Sequence, residues 1–448
     1  MLGKSLNQSS PQTNIFKPLL SSFIDLKSPL VVLCQKINWV GLEADFAKFY
    51  ASKGAPSKPV RLMAGLLILK QMFNKSDEVI VEEWRQNPYY QYFTGGIYFE
   101  WELPCDPSDL VHFRKRIGEE GVLKIFTLSL ELHKEKIEQA EEVITDTTVQ
   151  EKDITFPTDT KLRLKSIKKL HEIAQKTGVK LKQTFKKELK ELKVALRFSH
   201  HPKRRKQANQ AQRRVKTIAG ILLREINRKL QLTDKEAYND ILSLIDNILK
   251  QTRHSKDKIY SLHEPEVSCI AKGKSHKPYE FGSKISFSTL PKSNIVVDVS
   301  HFLGNPHDSK TLEVVIPKLK EIIPNTLKFN IVDRGYRGKK KINDIHIVIP
   351  NPKEDSIKSI ECQNTKSRQC KSRAAIEPII GHIKNDHRML RNFLKGVLGD
   401  KMNAILAGAA FNFKKALNEI KAFAIFYLHF LFNIKNKKNQ ILVNFAKI

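Results

Sequence analysis

The ten residues FNIVDRGYRG (329–338) read as a short buried strand running into a glycine-rich turn. An aspartate, Asp333, ends the apolar run, and Arg334 and Gly335 follow at once. A strand that is apolar without alternation suits the interior of a sheet covered on both faces. The same texture returns in IHIVIPN (345–351), after a short helix predicted over KKINDI (340–345). Upstream, DSKTLEVVIPKLKEII (308–323) has helical spacing, with Asp308 placed to cap it and Pro317 disturbing its middle. Earlier still, VSCIAKG (267–273), KISFSTL (284–290) and NIVVDVSHFLG (294–304) have strand texture. The first strand is EVITDTTVQ (142–150), rich in Thr and Val, with Asp146 in its middle.

Between the first strand and the rest, residues 160–262 are helical, poor in glycine and very basic. HHPKRRKQANQAQRRVK (200–216) is one of the densest positive runs. A solvated helix face explains such charge, and so does contact with phosphate by Lys203, Arg204, Arg205, Arg213 and Arg214. Ahead of the first strand the chain is helical. PVRLMAGLLILKQMF (59–73) is a core helix, and NKSD (74–77) links it to DEVIVEEWRQN, which Ser76 caps and Pro88 stops. Two helices so joined have a helix-turn-helix shape, although plain packing produces the same pattern more often. PSDLVHFRKRIG (107–118) and GVLKIFTLSLELHKEKIEQA (121–140) continue the helical region.

The predicted order is strand, large insertion, strands, helix, strand, short helix, strand, helix. Without the insertion this is the ribonuclease H-like order, an early antiparallel meander followed by αβα crossovers. The fold class is therefore an α/β ribonuclease H-like domain with a mixed five-stranded sheet. To it are added an all-helical N-terminal domain and a large basic helical insertion after the first strand.

The chain has 448 residues, 78 Lys and Arg against 47 Asp and Glu, and a net charge of +31. That field attracts polyanions, nucleic acid above all. A membrane is the competing partner. The best apolar stretch, AFAIFYLHFLF (422–432), is shorter than the ~20 residues a span needs, and His429 interrupts it. It and PLVVLC (29–34) read as buried packing. Five widely spaced cysteines with no CxxC pair fit a reducing compartment rather than a disulfide frame or zinc knuckle. No glycine-rich nucleotide loop is present.

Two strands each carry an aspartate, and an aspartate inside a strand is disfavoured. Asp146 could face water on an edge strand, and Asp333 could cap its turn. SRAAIEPIIGHIKNDHRMLRNF (372–393) adds Arg373, Glu377 and Lys384, spaced to share a helix face. An ion pair explains Glu377 alone. Pro378, which belongs in a first helical turn, starts the helix near Glu377 and leaves Arg373 in an irregular lead-in. Taken together, the three acids can converge on Mg²⁺, which prefers oxygen ligands and needs few carboxylates. Asp298 is expected to face solvent, and His307 with Asp308 to form a turn and cap.

With DTT (146–148), VDRGYRG (332–338) and RAAIEPIIGHIK (373–384), the chain resembles bacterial insertion-sequence DDE transposases. Their last acid lies in a helix of the form Y-x2-R-x3-E-x6-K. Arg373, Glu377 and Lys384 match R-x3-E-x6-K, while Cys370 takes the tyrosine position. GNPHDSKTL (304–312) and residues 59–95 are similar to the same family, so the likeness covers roughly 57–415. The resemblance implies a catalytic and metal-binding triad of Asp146, Asp333 and Glu377, with two Mg²⁺ ions for which Mn²⁺ can substitute. It implies DNA contacts by Arg373, Lys384, Arg334 and Arg337. Expected partners are double-stranded DNA, as terminal inverted repeats and target, and a second copy of the chain in a homodimer. No membrane partner is expected, and the location is the bacterial cytoplasm, at the nucleoid. The divisions expected are a DNA-binding domain (1–140), the catalytic domain (141–159 and 263–415), the insertion (160–262) and a tail (416–448). The alternatives are a DNA-binding regulator, a decayed inactive copy, or a stand-alone nuclease with the same triad.

Overall fold

The computed structural model describes residues 17–51, 53–197, 201–252, 254–273, 277–349, 368–369 and 371–445, with side chains as far as 426. His200, Cys362 and Cys370 lie outside these residues. The chain divides into two compact units. One comprises the residues up to Glu151, Lys284–Phe302 and those from Pro306 on; the other is Lys152–Ser283 with Leu303–Asn305.

In the first unit the N-terminal helices are α1 Leu20–Phe23, α2 Pro29–Lys36, α3 Trp39–Phe46, α4 Val60–Met72, α5 Asp77–Gln86, α6 Pro88–Phe93, α7 Pro107–Glu131 and α8 Lys134–Glu138. α4 is apolar all round and is buried along its whole length, as such a helix must be. Ser76 caps α5 by accepting from the Val79 N–H at 3.2 Å. Pro88 opens α6 rather than merely ending α5, because Asn87 caps the new helix through the Tyr89 and Tyr90 N–H groups. Gly118, at φ 59°, kinks α7 where two separate helices were expected. Asp77 locks α5 to α7 through two hydrogen bonds from Arg114, at 2.9 and 2.6 Å. Burial works to raise its carboxyl, but Arg114 and the Lys70 ammonium outweigh that and hold it at about 2.

The strands are β1 Glu142–Lys152, β2 Ser268–Ala271, β3 Tyr279–Thr289, β4 Val296–Phe302, β5 Phe329–Ile331, β6 Lys341–Ile342, β7 Ile345–Val348 and β8 Arg391–Asn392. Five of them run in the order β4-β3-β1-β5-β7, with β4 antiparallel to β3 and β5 parallel to both β1 and β7. The sheet is mixed, as expected, but has eight strands rather than five, β2, β6 and β8 being short. β6 falls where a short helix was predicted. Asn343 and Asp344 both take positive φ, 44° and 67°, which suits the tight turn of a β6–β7 hairpin.

Helix α13, Asp308–Ile322, covers one sheet face, packing Leu312, Val315, Ile316 and Leu319 with Val143, Val297 and Val332. Helices α14, Ile376–Asp386, and α15, Gly396–Phe445, cover the other. Ile379, Ile383 and Phe413 share a core there with Ile144, Phe287 and Ile331 and with Trp39, Phe93 and Phe126 from the N-terminal helices. Asn412 of α15 bonds both the N–H and the C=O of Val296, at 3.0 and 2.8 Å, beside the register shift between β3 and β4. The side chain thus completes a ladder that the bulge interrupts.

Two expectations fail here. Asp298 is buried and accepts from the Ser300 hydroxyl at 2.9 Å, because β4, although an edge strand, is packed on both faces, Val297 against α13 and Val296 and Val299 in the core of α14 and α15. Phe423, Ile425 and Phe426 are exposed rather than packed, since the core around α15 ends near Leu417. The side chains of 427–432 lie outside the described residues. Among the described residues no helix is long and apolar enough to cross a membrane.

The second unit holds helices α9 Asp159–Lys176, α10 Lys186–Arg197, α11 Arg205–Lys229 and α12 Leu232–Lys250 around a core of Leu170, Ile173, Ile218, Leu222 and Ile245. In it β2 pairs antiparallel with the first residues of β3.

Candidate active site

β1 and β5 are adjacent and parallel, and their last paired rung joins Ile144 to Ile331. Asp146 and Asp333 each stand two residues beyond that rung. With side chains alternating, both fall on the side of the sheet that Ile144 and Ile331 face, which α14 covers. Both are partly buried. Each carboxylate is aimed by a neighbouring N–H: Thr147 donates to Asp146 Oδ1 and Gly335 to Asp333 Oδ1, both at 2.8 Å. Asp333 therefore does cap the Arg334–Tyr336 turn, as its simplest reading held, and still presents a second oxygen.

A third acid stands close by. Asp308 is the first residue of α13, and His307 rather than Asp308 caps that helix. Asp308 Oδ1 accepts from the Thr147 hydroxyl at 2.8 Å and from Lys284 Nζ at 2.9 Å. A Cβ on Gly335 would lie 3.0 Å from Asp333 Oδ1 and 3.2 Å from Asp308 Oδ2, a tight approach to both carboxylates. Tyr336 lies buried beside the group. Its hydroxyl is pushed well above the usual range by burial and by the nearby charges of Asp146, Asp308 and Asp333. Neither Asp308 nor Lys284 is singled out for this site by the sequence. The available signal is Lys284, a cation inside the strand KISFS that alternation turns inward.

Glu377 lies in the first turn of α14, after a 3-10 turn at Arg373–Ala375, as Pro378 requires. Ile376, Ile379, Ile380 and Ile383 are buried, which leaves Glu377 on the outer side with its side chain 67% exposed. It pairs with Arg373 at 3.6 Å. α14 runs beside β1: Gln369 bonds Glu142 at 2.7 Å before it, and β8 pairs β1 after it. Among the described residues no three His, Cys, Asp or Glu side chains are close enough together to hold a metal ion. The structure thus brings Asp146 and Asp333 together and does not gather Glu377 with them.

Of the expected phosphate contacts, Arg334 and Arg337 are exposed in the turn after Asp333, and Arg373 and Lys384 are partly buried on and before α14. In the second unit Lys203 and Arg204, in a 3-10 turn, and Arg205 and Arg213, on the helix that follows it, are exposed. Arg214 is exposed as well, and is engaged within the unit. Its guanidinium forks onto Glu188, at 2.6 and 3.1 Å, and lies over the Phe185 ring, so it braces two helices together.

The family described as "Transposase domain (DUF772)" matches residues 18–116, and the "Transposase DDE domain" matches 242–413. An uncharacterized protein of Rhizobium meliloti, ORF8 in the nfe locus, is 38% identical over 197 residues, 43% of this chain and 95% of that one. No solved structure matches significantly.

Proposed function

This chain belongs to the insertion-sequence DDE transposases, and we propose that Asp146, Asp333 and Glu377 are its catalytic carboxylates. The family cuts and joins DNA with divalent metal ions. The observation that carries the assignment is the level placement of Asp146 and Asp333 on adjacent parallel strands, beside the helix that bears Glu377.

The donor set fits Mg²⁺, with Mn²⁺ as substitute. It is all oxygen, and two carboxylates leave room for water and phosphate oxygens. Asp146 and Asp333 would hold the metal, and Glu377 would complete the set. A bound pair of ions supplies Lewis-acid stabilisation to the attacking and leaving oxygens of an in-line displacement. The protein's own share is to aim carboxylates and hold DNA. Arg373 and Lys384 grip flanking phosphates, Arg373 by its planar fork, and Arg334 and Arg337 add to this. Water attacks first, at the element's ends; the freed 3′-hydroxyl then attacks target DNA.

The N-terminal domain (1–140) reads the terminal inverted repeats. The insertion (160–262) tracks backbone through Lys203, Arg204, Arg205 and Arg213. The catalytic domain is 141–159 with 263–415, and 416–448 is a tail. Two ends must be held together, so a homodimer is the working form, at the nucleoid of a bacterial cytoplasm. The test sets Mg²⁺-dependent nicking of end DNA beside a gel shift. Nicking with strand transfer supports the reading; binding without nicking makes the protein a regulator or a decayed copy instead.

A further inference from the structure

Asp308 touches the supports of both Asp146 and Asp333. Its Oδ1 accepts from the Thr147 hydroxyl, and the N–H of that same Thr147 holds Asp146 Oδ1. Its Oδ2 lies across Gly335 from Asp333 Oδ1, and the Gly335 N–H holds that oxygen. Lys284, nearly buried, bonds Asp308 Oδ1 and the Pro306 carbonyl, at 2.9 and 2.7 Å. One carboxylate is therefore fixed at the start of α13 by β3 and bears on the residues that aim the other two.

We infer that Asp308, neutralised by Lys284, is a positioning residue that sets the orientation of Asp146 and Asp333. The inference rests on the assignment of those two as metal ligands. Three carboxylates in one neighbourhood repel one another, and an unneutralised third would turn the others away. The Lys284 ammonium bonds Asp308 Oδ1 and offsets that charge, so Asp308 acts as a hydrogen-bond acceptor and not as a ligand. Partners that orient metal ligands are worth roughly 10- to 100-fold in metal affinity. Gly335 suits the same arrangement, since a Cβ there would press on both Asp308 and Asp333.

The test is Mn²⁺ titration of the full chain without DNA, read by electron paramagnetic resonance, with thermal unfolding as a control. The variants are Asp308→Asn, Thr147→Val, Thr147→Ser and Asp146→Asn. Thr147→Val removes only the hydroxyl that Asp308 receives, so it decides the matter even if Asp308→Asn does not fold. The expected result is an affinity about tenfold weaker in Thr147→Val and Asp308→Asn, restored in Thr147→Ser, with a far greater loss in Asp146→Asn. A purely structural ion pair would lower the unfolding midpoint and leave Mn²⁺ affinity unchanged. Wild-type affinity in Thr147→Val beside loss in Asp146→Asn overturns the positioning role and spares the metal assignment. Wild-type affinity in Asp146→Asn overturns that assignment as well.

Discussion

Asp146 and Asp333, 187 residues apart in the chain, stand level with each other, Asp146 within β1 and Asp333 two residues beyond the last paired rung of the neighbouring parallel β5. Two carboxylates so placed repel unless a cation lies between or beside them.

Asp146→Asn and Asp333→Asn should each lower nicking of end DNA by roughly 100-fold or more, since even the partners of metal ligands cost that much. Gel-shift affinity for end DNA should stay at the wild-type level. Loss of binding in step with nicking would place these residues in DNA recognition instead.

Replacing Lys203, Arg204, Arg205 and Arg213 together by alanine should weaken DNA binding equally for end and unrelated sequences. Every phosphate that is no longer neutralised lowers the slope of log affinity against log salt by about 0.9. Arg214→Ala should leave that slope nearly unchanged, because its guanidinium is committed to Glu188. The readout is binding measured across a salt series.

Burial pushes the Asp298 carboxyl up to about 6 from an ordinary 3.8, against the opposing pull of Lys318 and Ser300. The folded state thus binds a proton more readily than the unfolded one between those values, and stability falls as pH rises through that window. Asp298→Asn should stabilise the protein at pH 7 by up to about 3 kcal/mol. The gain should vanish below about pH 4, where both states are protonated. Denaturant unfolding at the two pH values checks this.

Asn412→Leu keeps the bulk of the side chain and removes both hydrogen bonds to Val296, which is fully buried. Two backbone groups left unpaired in the core should cost about 3 kcal/mol of stability, at roughly 1–3 kcal/mol for each. An unfolding midpoint unchanged in Asn412→Leu would show that the bulge satisfies itself otherwise.

The strands and the helical insertion were legible because their patterns are local. FNIVD, IHIVI and VITDT announce buried strands by composition, and the basic helices announce themselves by spacing and charge. What was not legible depends on register or on partners distant in sequence. Asp298 looks like a solvent-facing residue until packing on both faces of β4 buries it. KKINDI has helical composition, but its Asn-Asp pair at positive φ makes a hairpin. Asp308 looks like a cap because capping is local, whereas its bonds to Thr147 and Lys284 span 161 and 24 residues. The pairing of Arg214 with Glu188, 26 residues away, is likewise made only in the folded chain. Asp146 stands out in the sequence because it interrupts an apolar and threonine-rich run, and Asp333 because it closes an apolar one.

Glu377 is exposed and paired with Arg373 rather than gathered with the other two acids. The decisive measurement is Mg²⁺-dependent nicking of end DNA by Glu377→Gln, per bound complex. The account predicts wild-type binding and no detectable nicking. Nicking near the wild-type rate, or lost binding with normal cleavage in the complexes that form, would contradict it.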